Sequence, residues 1–102
     1  MAELVVVYWR DIPAQVKAGS GRQTVRRELA PRFAEAIDMA AMIAGAKDGD
    51  AYLAEWHTSA PAPVESDPRE AVERRCKALE ADWDEARLAA AVANGGRECR
   101  TS

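Results

Sequence analysis

The feature that most constrains this chain is an unbroken apolar run near its N-terminus, Leu4-Val5-Val6-Val7-Tyr8-Trp9. β-Branched and aromatic residues favour strands. A run without a polar break is typical of a strand covered on both faces, or of a central strand with one very well packed face. Because Pro13 cannot donate to a strand ladder, the strand is predicted to end near Arg10. The rest of the chain must cover this segment.

Two further regions are predicted to be extended. Residues 14–29 are predicted to form a hairpin, because they alternate on either side of a glycine-rich loop that begins at Gly19. Asp50 to Ser59 is predicted to be a second clear strand, with Tyr52 and Trp56 on one side. Residues 60–64, with two prolines, are predicted to be a stiff, extended connector.

Helical spacing appears twice in the chain. The first helix is predicted to begin at Pro31 and to end at about Ala44. The second follows a capping residue, Asp67, and is predicted to continue to about residue 93 with a break near Asp82. The predicted buried stripes are Phe33, Ile37, Ala40, Ala41 and Ala44 in the first helix, and Val72, Cys76, Leu79, Trp83, Ala86 and Ala90 in the second.

This pattern predicts an α+β fold: a small, mostly antiparallel sheet of three or four strands with two or three helices packed on one face. The 102 residues suffice for one domain. We assign residues 1–96 to that domain and residues 97–102 to a flexible C-terminal tail, which follows Gly95 and Gly96.

Composition excludes several classes of protein. The net charge of −3 argues against a protein built mainly to bind nucleic acid. No apolar run reaches the roughly 20 residues of a membrane helix, and the N-terminus does not resemble a signal peptide. Two distant cysteines, Cys76 and Cys99, and a single histidine form no metal motif, so we expect a cytoplasmic protein without metal, disulfide or cofactor.

Basic residues are concentrated in and just after the predicted hairpin: Lys17, Arg22, Arg26, Arg27 and Arg32. On a hairpin they could form one patch for an acidic partner, a polyglutamated cofactor such as a folate, or nucleic acid. No aromatic residues interleave with them, which argues against base stacking. A solvated basic face is the alternative interpretation.

Candidate catalytic residues are few. Glu55 and His57 share one side of the predicted second strand and are weak candidates for proton transfer. Cys76 lies on a predicted buried stripe, so we interpret it as a packed residue and not as a nucleophile.

Three segments resemble a small bacterial domain family known as "virulence factor". They are the opening segment with Tyr8-Trp9-Arg10-Asp11-Ile12-Pro13, the helix that begins Pro31-Arg32-Phe33, and Asp50-Ala51-Tyr52-Leu53-Ala54-Glu55-Trp56. The resemblance implies an accessory or binding role. It also implies an association with folate- or corrinoid-dependent one-carbon transfer proteins.

The leading functional hypothesis is therefore a non-catalytic accessory module that binds a partner protein. The alternatives are a small nucleic-acid-binding domain that uses the basic hairpin and a small enzyme that uses Glu55 and His57. Because a small sheet with a free edge tends to pair, self-association is also expected.

Overall fold

In the computed structural model, which describes residues 2–20, 23–46, 48–65 and 67–98, the apolar N-terminal run is the centre of an antiparallel sheet. The strands are β1 (Ala2–Trp9), β2 (Ile12–Ser20), β3 (Gln23–Glu28), β4 (Trp56–Thr58) and β5 (Ala62–Val64). The helices are α1 (Pro31–Ile43), α2 (Gly49–Ala54), α3 (Pro68–Asp82) and α4 (Glu85–Ala93). The predicted α+β fold is confirmed, with five strands and four helices among the described residues.

The sheet has the strand order β3-β2-β1-β4, and β5 pairs with the N-terminal half of β1. Strand β1 therefore pairs with β2 on one side, and with β4 and β5 end to end on the other. All of these pairings are antiparallel. The predicted hairpin of residues 14–29 is the β2–β3 pair, and its first strand begins earlier than predicted, at Ile12.

Side-chain alternation gives the sheet two different faces. Val6 and Val16 lie opposite each other, are fully buried and belong to the core cluster under the helices. On the other face Lys17 lies between Val5 of β1 and Arg26 of β3. Exposure is partial for Val5 and Lys17 and high for Arg26, so this second face borders solvent.

The predicted helices α1 and α3 are confirmed, and their starts follow the predicted signals. Pro31 and Pro68 occupy the first turns, and the Asp67 side chain accepts a hydrogen bond from the Arg69 N–H at 3.3 Å. The chain breaks after Asp82 and restarts at Asp84, whose side chain caps α4 through the Arg87 N–H at 2.8 Å.

This restart turns the second half of the long helical segment onto a different face. Ala86 and Ala90 were predicted to continue the buried stripe of α3, but both are exposed. Helix α4 instead buries Leu88, Ala91 and Val92.

The prediction of one strand over Asp50 to Ser59 is wrong for its first half. Residues Gly49–Ala54 form the short helix α2, and only Trp56–Thr58 pair with β1. The tertiary contacts explain the difference. Helix α2 places the Tyr52 ring against both Trp9 and Trp56 of β4, and the Tyr52 carbonyl accepts a hydrogen bond from the Trp9 indole at 3.0 Å.

Within the extended connector predicted over residues 60–64, Ala62–Val64 form strand β5, a pairing that the sequence did not predict. Strand β5 pairs with the start of β1, with Pro63 opposite Glu3. Proline is compatible with an edge strand, since an edge position does not require every N–H.

The C-terminal segment returns to the β1–β2 turn. Gly95 and Gly96 end α4 with positive φ, a conformation that is common for glycine at a helix C-terminus. The Glu98 N–H then donates to the Asp11 carboxylate at 2.7 Å. The flexible tail over residues 97–102 stays a prediction, and residues 99–102 lie outside the described part of the chain. None of the described helices combines the length and apolar character needed to cross a bilayer.

Candidate functional site

The two weak catalytic candidates converge on Arg10, in the two-residue turn between β1 and β2. The Glu55 carboxylate accepts from the Arg10 Nε at 2.9 Å, and His57 Nε2 lies 2.5 Å from the Arg10 carbonyl oxygen. Because that carbonyl can only accept, Nε2 carries the proton of this contact. Arg10 has φ = +53°, a strained conformation for a residue other than glycine.

A cleft of about 250 Å³ opens beside this turn. Its lining includes Tyr8, Asp11, His57, Arg87 and Glu98, whereas Glu55 lies outside it. The His57 ring stacks on Tyr8, with ring centroids 5.5 Å apart. The hypothesis of proton transfer between Glu55 and His57 stays a prediction.

The charged groups in this cleft mostly satisfy one another. Arg87 donates to both carboxylate oxygens of Glu98, at 2.8 and 2.9 Å, and this hydrogen bonding raises the pKa of Arg87. The guanidinium also stacks over the Trp83 ring, 3.9 Å from its centroid. Together with the Asp11–Glu98 contact, this network joins the C-terminal segment to the β1–β2 turn and accounts for the cleft's charges without a ligand.

The structure divides the predicted basic patch. Lys17 and Arg26 lie opposite each other on the solvent-facing side of the sheet. Arg22 lies outside the described residues. Arg27 points to the helix-covered side, because it lies opposite the buried Val16.

Arg27 and Arg32 are both engaged within the fold. Arg27 forms an ion pair with Glu73 of α3, and the hydrogen bond from Arg27 to Glu73 raises the pKa of the guanidinium. Arg32 donates to the carbonyl oxygens of Glu80 at 2.7 Å and Trp83 at 3.0 Å, at the end of α3. Arg32 thus provides a donor for two carbonyls at that helix end, and Lys17 and Arg26 are the predicted cations that remain on the open face among the described residues.

Cys76 is a packed residue, as predicted. Its side chain is 1% exposed, and its thiol donates weakly to the Arg27 carbonyl at 3.9 Å. Burial raises the pKa of the Cys76 thiol above its ordinary value. Among the described residues, no group of three or more histidine, cysteine, aspartate or glutamate side chains could hold a metal ion.

We expect Cys76 to react with a thiol reagent at least about a hundredfold more slowly in the native protein than in denaturant, because a buried thiol reacts only after local opening. A Cys99→Ser variant removes the other thiol, so that the measured reaction is that of Cys76 alone. Because the native pKa is raised, the native state retains the proton more tightly. The protonated Cys76 thiol therefore contributes to the free energy of unfolding. This contribution is full below the ordinary pKa of 9.0 and is lost as the pH rises through the raised pKa of the folded state. Fast labelling of the folded protein would contradict burial.

A groove that the sequence analysis did not predict runs between α1 and α4. Its volume is about 310 Å³. Ala36 and Met39 line it from α1, and Leu88, Ala89 and Val92 line it from α4. These five side chains are apolar and suit hydrophobic contact, whereas the other lining residues, Arg32, Glu35 and Glu85, are charged.

The apolar surface continues along α1 beyond the groove. Met39, Met42 and Ile43 follow one another at helical spacing and are 52%, 57% and 58% exposed. On α2, Leu53 is 66% exposed. The sequence held a signal for this surface: Met39, Met42 and Ile43 all fall outside the predicted buried stripe of α1, yet none of them is polar.

These features define a small α+β domain, in which one antiparallel sheet carries a tight polar turn at one end and the helices leave an apolar groove exposed. The chain belongs to the Virulence factor family, whose family model matches residues 7–92 of the 102. The match includes the whole of the Tyr8–Pro13 motif that carries the resemblance, which is therefore confirmed. Searches of curated proteins and of solved structures found no similar protein.

Proposed function

We propose that this protein is a non-catalytic accessory module that binds a partner protein through the groove between α1 and α4. The observation that carries the proposal is the apolar surface formed by the groove together with Met39, Met42 and Ile43. Clustered exposed apolar side chains on a small domain mark interaction sites, whereas isolated ones do not.

The groove fits an amphipathic helix of the partner. A hydrophobic groove between two adjacent helices can bind the apolar face of a third helix, whose side chains at i, i+3 and i+4 enter the groove. Methionine adapts its shape to the side chain that enters, which suits Met39 and Met42 to this role. The partner helix would bury its apolar face against Leu88, Ala89 and Val92.

The charges at the rim restrict the partner further. Glu35 and Glu85 line the groove where α1 and α4 begin. The Arg32 guanidinium at that end donates to the carbonyls at the end of α3. The carbonyls leave the Arg32 charge in place, but the two carboxylates outnumber the one guanidinium, so we expect lysine or arginine at the corresponding end of the partner helix.

The resemblance of this chain to the family suggests which partner proteins to test first. Folate- and corrinoid-dependent one-carbon transfer proteins are the proposed class, acting in the cytoplasm with this module. A different partner identity would remove this part of the proposal and leave the groove proposal intact.

The test is site-specific photo-crosslinking in the native cell. With benzoylphenylalanine in place of Met39, we expect one partner protein, cross-linked within an amphipathic helical segment that has a basic end. The same probe in place of Lys77, an exposed residue of α3, is the matched control and should give no such product.

The Met39→Glu substitution places a charge beside the groove and should reduce partner binding at least about tenfold. Because Met39 is exposed, the free energy of unfolding should change by no more than about 0.5 kcal/mol. Equal cross-linking from Lys77, cross-linking only to a second copy of this chain, or unchanged binding by Met39→Glu would each refute the proposal.

A further inference from the structure

Strand β3 presents a free backbone edge. It is the last strand on its side of the sheet and pairs only with β2 among the described strands. The Leu29 N–H donates to the Ala14 carbonyl at 3.0 Å, so the backbone groups of Leu29 face β2. The direction of the backbone N–H and C=O groups alternates along a strand. The backbone groups of Arg27 therefore also face β2, whereas those of Arg26 and Glu28 point outward.

The opposite side of the sheet is less open to pairing. Strands β4 and β5 have three residues each, and Pro63 at the centre of β5 has no N–H to donate. The six residues of β3 are thus the longest edge that the described part of the sheet offers. Such an edge is a template for another strand.

The side chains on β3 carry a local electrostatic conflict. Lys17 and Arg26 lie directly opposite each other on the solvent-facing side, and the described residues provide no ion-pair partner for either. Like charges in such a cross-strand pair are destabilising. Glu28, two residues along β3 from Arg26, lies opposite the neutral Gln15.

We propose that two copies of this chain pair through β3, antiparallel and about a two-fold axis at Arg27. In this register Arg26 of each copy lies opposite Glu28 of the other. Two equivalent ion pairs form, because a two-fold interface repeats every contact. Each pair gives Arg26 the ion-pair partner that the described residues of its own chain do not provide, and the two sheets become one continuous sheet.

The register follows from charge. A two-fold axis at Arg26 would instead place the two Arg26 side chains directly opposite each other beside both Lys17 residues. With the axis at Arg27, the two residues that meet are each already paired with Glu73 of their own α3. The outward-facing backbone groups of Arg26 and Glu28 also match in this register.

Mass measurement with charge variants tests the pairing. Light scattering after size exclusion should give twice the mass of the single chain. Glu28→Lys should raise the dissociation constant of the dimer about tenfold or more, since it replaces both ion pairs with repulsion. The charge-swapped variant R26E/E28K should restore dimerisation. A single-chain mass at every concentration up to about 1 mM, or no rescue by the swap, would overturn the proposal.

Cysteine cross-linking tests the register in a Cys99→Ser background, where the remaining Cys76 is buried. Arg27→Cys should form an intermolecular disulfide readily, because the two residues form a close non-hydrogen-bonded pair about 4.5 Å apart at Cα. Arg26→Cys alone should not. The reverse result would place the axis at Arg26 and refute the register.

This dimer is independent of the partner groove. Met39→Glu should leave the mass of the dimer unchanged, whereas Glu28→Lys should leave cross-linking from position 39 to the partner unchanged. Loss of the dimer in Met39→Glu would show that the copies associate through the groove, which would overturn pairing through β3.

Discussion

Replacing Gly96 with alanine is expected to lower the free energy of unfolding by about 2–5 kcal/mol. Gly96 has φ = +97°, which strains any residue with a side chain. A Cβ added at this position would also lie 2.7 Å from the Cζ3 atom of Trp9, which is fully buried. The Gly96 backbone cannot move away easily, because its carbonyl accepts a hydrogen bond from the Asp11 N–H at 2.9 Å. The Trp9 ring is held by its own hydrogen bond to the Tyr52 carbonyl at 3.0 Å.

Gly45→Ala is the matched control for this substitution. Gly45 also has a positive φ, +68°, but a Cβ there would meet no atom within 4 Å. We expect this variant to lose only about 1 kcal/mol, the cost of the backbone conformation. Urea unfolding followed by tryptophan fluorescence measures both variants. If the two losses agreed within about 0.5 kcal/mol, Trp9 would not be packed against Gly96 as described.

Substituting Arg10 with alanine is expected to cost about 2–3 kcal/mol of unfolding free energy. The guanidinium donates to Glu55 at 2.9 Å and to the Gly95 carbonyl at 2.9 Å, and it lies over the Trp9 ring. Its side chain is 17% exposed, so water replaces these contacts poorly. The substitution leaves the Glu55 carboxylate partly buried, with Arg97 at 3.5 Å as its remaining cation.

Arg10→Gly separates the lost contacts from the backbone strain. It loses the same hydrogen bonds as alanine, but glycine adopts φ = +53° without strain. We therefore expect Arg10→Gly to be about 1 kcal/mol more stable than Arg10→Ala in the same urea experiment. A glycine variant that is less stable than the alanine variant would contradict a strained turn.

The elements that the sequence predicted correctly are those whose apolar residues repeat over a long stretch. Strand β1 and the helices α1 and α3 each have such a pattern, and each is covered by the core that the pattern implies. The prediction was wrong at α2, because an element this short has too few residues to show a repeat. Tyr52 and Trp56, four residues apart, fit a strand side and a helical turn equally well, and contact with Trp9 decides between the two.

The functional roles of the charged residues depend even more on distant contacts. Arg26 and Arg27 are adjacent in sequence and equally polar, yet one lies on the open face and the other pairs with Glu73, 46 positions later. Arg32 was predicted to belong to the basic patch, but it binds the carbonyls at the end of α3. Strand alternation in the sequence places Arg26 and Arg27 on opposite sides of β3, but it does not identify Glu73 or the end of α3 as the partners of Arg27 and Arg32.

The sequence by itself determined the central strand, the two long amphipathic helices, the α+β class and the family. Periodicity records which side of an element is buried, and that is a local property of the chain. Only the tertiary structure decided which cations stay exposed, where Glu55 and His57 point, and that Met39, Met42 and Ile43 border an open groove. Those outcomes depend on which elements lie side by side, because a charge or an apolar side chain acquires its role from the neighbour that the fold provides.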